Sequence, residues 1–183
     1  GLNYWKRWIF KRVWILWPLR IANTVTVVSA YTRDEILKLA GSIFSDKIKV
    51  VYNAFNPLYS GLPGPFNSSR PRIMQVGTAP HKNLETLICA VSGMDCVLSI
   101  VGALTEAQLY SLRDADIAYE SYQDLTEERV REQYALADMV VFPSLHEGFG
   151  LPVIEAQAMG RPLITTRLTS LPEVAGSGAH YVD

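Results

Sequence analysis

The chain has 183 residues, of which 49% are hydrophobic and 19% charged, and its formal net charge is −1. This composition excludes a disordered polymer and gives room for one domain, or for one domain with part of another. The near-neutral charge argues against nucleic acid as a partner, since gripping a phosphate backbone takes an excess of cations.

The first twenty residues break that average. They hold Lys6, Arg7, Lys11, Arg12 and Arg20 without one acid, together with all four tryptophans, Trp5, Trp8, Trp14 and Trp17. Apolar spacing predicts a helix over 4–20. Indole rings at headgroup depth and cations beside anionic lipid suit a peripheral membrane contact through residues 1–20; rings packed on a neighbouring element are the ordinary alternative. Residues 13–19 are the longest apolar run and fall far short of the ~20 residues a bilayer span requires. A short β-branched strand is predicted over 24–29, then a helix opened by Thr32 and closed by Gly41, then a strand over 48–52. Pro57, Gly61, Pro63, Gly64, Pro65 and Ser68-Ser69 form the densest turn-forming stretch of the chain, which reads as a linker over 57–70.

From residue 71 onward strand and helix patterns alternate. Strands are predicted over 72–76, 96–101, 117–119, 139–142 and 162–166. Helices are predicted over 83–92, from a cap at Thr105, over 126–136 and over 152–159. Such alternation predicts an α/β fold with a parallel sheet, whose ligands sit beyond the carboxyl ends of the strands. The chain opens on Gly1 and stops at Asp183 within a patterned segment, so a piece of a longer protein is expected. Cys89 and Cys96 fit no metal pattern or disulfide framework, and no secretory signal is evident; a reducing, cytoplasmic compartment is expected.

The stretch Glu147-Gly148-Phe149-Gly150-Leu151-Pro152-Val153-Ile154-Glu155 follows the strand over 139–142 closely. Gly148 and Gly150 let the backbone turn with little bulk, Pro152 suits a helix start, and the amides of a first helical turn attract anions. Glu155 is expected within that first turn, facing the same cleft as Glu147. A turn of this kind can hold a diphosphate, with Glu155 accepting hydrogen bonds from ribose hydroxyls and Glu147 meeting a sugar hydroxyl or a positively charged sugar ring. Lys82, after the glycine turn at Gly77 and Thr78, can neutralise a leaving diphosphate. No Walker loop, zinc pattern or nucleophile elbow accompanies them. Two carboxylates also suit the acid and base of a hydrolase, but their position around an anion-binding turn favours transfer from an activated donor.

These nine residues resemble the two-glutamate motif of the group 1 (family 4) retaining glycosyltransferases, which have the GT-B fold. Val76-Gly77-Thr78-Ala79-Pro80-His81-Lys82-Asn83-Leu84 resembles the first loop of that family's donor domain, whose lysine contacts the donor diphosphate. Pro143-Ser144, Gly160-Arg161-Pro162 and Ser170-Leu171-Pro172-Glu173-Val174 match in order and spacing. Val28-Ser29 with residues 32–37, and Val50-Val51-Tyr52-Asn53, resemble the end of the family's first domain. The resemblance implies that residues 1–56 end an acceptor-side Rossmann-like domain and that 71–183 form most of a Rossmann-like nucleotide-sugar domain. It implies transfer of a sugar from a nucleoside-diphosphate sugar, GDP-mannose ahead of UDP-linked sugars, to a hydroxyl of a saccharide or lipid-linked acceptor. Retention of configuration and independence of metal or other cofactors belong to the same implication.

By that resemblance Glu147 and Lys82 are the catalytic pair, and Gly77, Thr78, Lys82, Gly148, Phe149, Gly150, Leu151 and Glu155 bind the donor. His81 stands directly before Lys82, at a position where many relatives carry an arginine, His146 precedes Glu147, and Tyr122 falls near the expected nucleotide base; each is a further candidate. The family's acceptor-side glycine loop is not among these residues, so the chain alone is expected to be inactive. Two rivals stay open: a non-catalytic nucleotide-sugar-binding or membrane-docked module, and another GT-B enzyme such as a sugar-nucleotide epimerase. Intact Glu147, Glu155 and Lys82 weigh against the first, and the Gly-Phe-Gly-Leu-Pro form against the second.

Overall fold

The computed structural model describes residues 11–61 and 64–183. The chain divides into two compact units, Gly1–Asn53 and Ala54–Asp183.

In the first unit a π-helical stretch, Lys11–Leu16, runs into helix α1 (Trp17–Ile21). Strands β1 (Val25–Val27) and β2 (Ile48–Val50) pair in parallel with Val25 opposite Ile48, and helix α2 (Ala30–Ala40) connects them through the 3-10 turns of Ser42–Lys47. Leu19, Val27 and Ile48 form a small core with Ile36, Leu37 and Phe44 packed against it. Helix α2 starts two residues earlier than its sequence pattern predicts, because Ser29 Oγ accepts the Thr32 amide at 3.0 Å and so caps the helix. Lys47 Nζ donates to the carbonyls of Leu19, Arg20 and Ala22 at 3.2, 3.3 and 2.9 Å. One ammonium thus closes the carboxyl end of α1. The opposite stripe of this helical segment, Val13, Trp14, Trp17 and Ile21, is exposed, Trp14 at 70% and Trp17 at 61%. The earlier part of the predicted helix, with Trp5 and Trp8, lies outside the described residues.

The second unit is a parallel sheet of six strands: β3 (Arg72–Val76), β4 (Val97–Val101), β5 (Ala118–Tyr122), β6 (Met139–Phe142), β7 (Leu163–Thr166) and β8 (His180–Val182). Their spatial order is β5-β4-β3-β6-β7-β8, every pair parallel. Helices α3 (Leu84–Val91), α4 (Glu106–Asp114), α5 (Glu127–Leu136), α6 (Leu151–Ala158) and α7 (Leu171–Ala175) cross between strands. Because side chains alternate along a strand, β3 feeds two cores at once. Ile73, with Leu98 and Ile100, packs on Leu84, Leu87, Ile88 and Leu112. Met74, with Val140 and Phe142, packs on Tyr134, Val153, Ala156 and Leu171. Each such side chain, fully buried, contributes roughly 1.5–3 kcal/mol, and both faces of the sheet are covered, as an all-parallel sheet requires.

Residues 54–70 are part of this unit. Tyr59 is buried in its core, and the Asp138 carboxylate accepts the amides of Asn67 and Arg72 at 2.8 and 2.7 Å. Strand β5 runs to Tyr122, beyond the predicted 117–119, because Glu120 and Ser121 sit exposed on an edge strand and interrupt the apolar pattern. Strand β8 is a three-residue edge element that no apolar run announces.

Candidate functional site

The strand order reverses between β3 and β6, and at such a switch point the loops leaving the two strands diverge and open a crevice. Here those loops are residues 77–83 and 143–150.

Gly77 takes φ of 92° and donates its amide to Val101 O at 2.7 Å. Its missing side chain has a specific use. A Cβ at this position would stand 3.0 Å from both Cγ and Cε of Lys82, so the lysine stem lies folded across the glycine. Gln75, wholly buried in β3, donates through Nε2 to Gly77 O and Lys82 O at 3.3 Å each and closes the loop. The Lys82 ammonium ends 2.7 Å from Glu147 Oε1, with side-chain exposures of 18% and 11%. It also stands 4.7 Å from the centre of the Phe142 ring, a cation over an aromatic face. At that depth the pair is screened little by salt. Ser144 Oγ lies 2.6 Å from the same carboxylate oxygen and 2.9 Å from His81 O. Its single proton serves one acceptor at a time, and the charged one is the stronger.

Hydroxyls reaching from β7 and the turn after it hold the second loop. Thr165 Oγ1 donates to Phe142 O and Thr166 Oγ1 to Ser144 O, both at 2.8 Å. Thr169 Oγ1 accepts the Glu147 amide at 3.1 Å, and Ser170 Oγ lies 3.0 Å from the carbonyls of Glu147 and Phe149. The two loops are stitched together where Leu145 N donates to His81 O at 2.8 Å and Asn83 Nδ2 to Pro143 O at 3.2 Å. Asn83, Pro143 and Ser170 fall within stretches that match the family, but their supporting bonds were not foreseen from the sequence. Thr165, Thr166 and Thr169 had only the hydroxyl-rich run over 165–170 as a signal.

Gly150, at φ of 99°, stands in the cap position of α6 and offers no side-chain cap. A Cβ there would come within 2.9 Å of Leu171 Cδ2. The helix begins at Leu151 with Pro152 next, so Glu155 falls in the second turn and not in the first, as the motif's spacing had predicted. Its Oε2 accepts the Tyr134 hydroxyl at 2.9 Å. Burial raises the Glu155 pKa; the Tyr134 bond opposes that rise and the Glu127 charge adds to it.

The structure therefore brings Gly77, Lys82, Glu147 and the turn over 148–151 to one crevice. Thr78 directs its hydroxyl to Ala103 O, toward the loop after β4. His81 and His146 are exposed, Phe149 is buried and Leu151 is exposed. Tyr122 sits at the end of β5 in a cluster of its own, donating to Glu120 and accepting from Arg72 Nη2 at 3.1 Å. The bond from Arg72, with help from Tyr122, holds the Glu120 carboxyl below its usual range.

A doubly wound parallel sheet whose loops diverge at a switch point belongs to the broad class of open α/β proteins that bind their ligands beyond the carboxyl ends of the strands. Residues 70–182 match the family described as Glycosyl transferases group 1, and the chain belongs to that family. Serotype-specific mannosyltransferase WbdA of Escherichia coli is 31% identical over 175 residues, covering 85% of this chain and 20% of its own length. MMP alpha-(1->4)-mannosyltransferase of Mycolicibacterium hassiacum is 36% identical over 118 residues, 58% of this chain and 28% of that one. O-antigen chain mannosyltransferase RfbU of Salmonella typhimurium is 26% identical over 186 residues, 96% and 51%. The chain thus spans between a fifth and about half of the length of these relatives. Among solved structures, HepE of Anabaena in complex with UDP and glucose matches with a TM-score of 0.78 at 18% identity, over 89% of this chain and 49% of that one. WaaG, a glycosyltransferase involved in lipopolysaccharide biosynthesis, matches at 0.73 and 15% identity, over 86% and 48%. The fold is the α/β fold of the GT-B glycosyltransferases.

Proposed function

We propose that this chain carries the donor-binding part of an enzyme that moves a sugar from a nucleoside-diphosphate sugar to an acceptor hydroxyl with retention of configuration. The observation that carries this reading is the Lys82–Glu147 pair, 2.7 Å apart at the switch point between β3 and β6. In the reaction the bond from the anomeric carbon to the donor phosphate oxygen breaks, and a bond from that carbon to the acceptor oxygen forms on the same face. The acceptor's proton passes to the departing phosphate. Lys82 and the amides of the turn over 148–151 meet the charge growing on that phosphate, Glu147 faces the sugar, and Glu155 takes the ribose. No metal or other cofactor is assigned a step.

The names of the mannosyltransferase relatives favour mannose as the sugar, and with it GDP as the nucleotide. Structures of HepE with UDP and with UDP-glucose keep a UDP donor as the second reading. The O-antigen context of RfbU favours a saccharide or lipid-linked acceptor. The exposed Trp14 and Trp17 support a peripheral membrane contact, at the cytoplasmic face where anionic lipid and nucleotide sugars meet the protein.

Calorimetric titration of the intact protein with GDP and UDP, followed by transfer assays with GDP-mannose and UDP-glucose, tests this. Binding of GDP and transfer of mannose are expected. Preference for UDP would replace the donor, and binding of neither nucleotide would overturn the reading.

A further inference from the structure

Tyr134 is a polar side chain placed where none is needed for packing alone. It comes from α5, is fully buried in the core, and its hydroxyl lies 2.9 Å from Glu155 Oε2 and 3.5 Å from Pro152 O, the charged and nearer oxygen being the stronger acceptor. Tyr59, brought in by residues 54–70, braces it edge-on, with ring centroids 5.7 Å apart and planes at 81°. A carboxylate on a helix ordinarily turns about its last torsion. Here one oxygen is pinned from inside the core. Among the described residues Tyr134 is the one hydrogen-bond partner of the Glu155 carboxylate, and Oε1 is not among the buried polar atoms left without a partner. Oε1 is therefore not sealed within the core, while Oε2 is engaged.

We propose that Tyr134, braced by Tyr59, is a positioning residue that fixes Glu155 with Oε1 presented to a ribose hydroxyl of the nucleoside diphosphate. This rests on the donor-site reading given above. It also has a consequence for pH. Ribose recognition in this form needs the carboxylate, so affinity fades as pH falls through the Glu155 pKa. Burial raises that pKa, the phenol lowers it and Glu127 raises it; Tyr134 and Tyr59, both themselves shifted upward, stay protonated throughout. Removing the phenol hydroxyl leaves burial unopposed and moves the midpoint upward.

The test is titration of the intact protein, as wild type and Tyr134→Phe, with GDP and 2′-deoxy-GDP, and with the uridine pair, across pH 4.5–8. In the wild type the 2′-hydroxyl is expected to improve affinity about tenfold, the scale of one hydrogen bond to a charged group. In Tyr134→Phe that preference should shrink to about twofold or less, with the pH midpoint shifted up. Undiminished preference with an unmoved midpoint would overturn the proposal. Should Tyr134→Phe fail to fold, Glu155→Gln serves instead: Tyr134 still donates to the amide oxygen, the amide nitrogen faces the ribose, and preference and pH dependence are both expected to vanish. Their persistence would likewise overturn it. Failure of the wild type to bind either nucleotide removes the donor site and this proposal together, undiminished preference in Glu155→Gln removes the ribose role of Glu155 and this proposal with it, and undiminished preference in Tyr134→Phe removes this proposal alone.

Discussion

Gly77 and Lys82 show how a single missing methyl group can place a charge. At Gly77 a side chain meets two penalties: a φ of 92° that L-residues avoid, and a Cβ position 3.0 Å from the lysine stem. Gly93 shares the first penalty, with φ of 78°, but a Cβ there meets nothing within 4 Å. Gly77→Ala is expected to cost about 1–3 kcal/mol in urea unfolding and to weaken GDP binding at least tenfold. Gly93→Ala is expected to cost about 1 kcal/mol and leave binding unchanged; equal effects on binding would mean that the lysine stem does not depend on Gly77. The charges of the pair should act in opposite directions on the diphosphate. Lys82→Ala removes a cation and should weaken GDP binding roughly ten- to hundredfold. Glu147→Gln frees the ammonium, so GDP should bind as well or a few times better while sugar transfer is lost, a split that titration and assay together read out. Much of this site was readable beforehand, because Gly77, Lys82, Glu147 and Gly150 carry chemistry or φ values that few residue types supply. What was not readable are its supports. Thr165, Thr166, Thr169 and Ser170 act through ordinary hydroxyl bonds whose partners lie more than twenty residues away, while Gln75 and Ser144 reach nearer partners through loop geometry that no local pattern encodes.

Elements were predictable where their ends are fixed locally and obscure where tertiary pairing fixes them. Thr105 and Gln108 form a reciprocal capping box on α4, visible in four residues of sequence. Thr105→Ala is expected to cost about 1 kcal/mol in denaturant midpoint, with nucleotide affinity unaffected. Strands β3 and β6, buried on both faces, announced themselves as apolar runs. Strand β5 announced only its start, over 117–119, and β8 was not announced as a strand, since an edge strand exposes part of its length to solvent and borrows its register from a neighbour. The same reasoning bears on the exposed stripe of Val13, Trp14, Trp17 and Ile21, whose opposite face packs Leu19 into the first unit's core. With Arg12 and Arg20 exposed beside it, the stripe fits the headgroup region of an anionic bilayer. Co-sedimentation of the intact protein with phosphatidylglycerol vesicles is expected to be strong at low salt and to fall steeply as salt rises. Binding that is absent, or indifferent to salt, would assign the stripe to protein packing instead.

For the molecule as a whole, Glu155 sets stability against recognition. Its folded pKa is raised, chiefly by burial, so between the ordinary glutamate value of ~4.3 and the raised one the folded state holds more protons than the unfolded state. Stability is then greatest below the ordinary value, falls as pH rises through that window, and stays at the lower level above it. A neutral isostere escapes this loss, and the Tyr134 hydroxyl can still donate to its carbonyl oxygen. Glu155→Gln should therefore melt above the wild type at pH 7 and show no such advantage at pH 3.5, in scans of the intact protein without nucleotide. Adding GDP should reverse the order at pH 7, because a ligand stabilises the native state by RT ln(1 + [L]/Kd), and the variant, having lost its ribose contact to a carboxylate, has the larger Kd. A variant less stable than the wild type at pH 7 would mean that the ionised carboxylate strengthens the fold, and the raised pKa would then be wrong in sign. Greater stability without ligand and less with it is the signature of a buried charge that the fold tolerates for the sake of the donor.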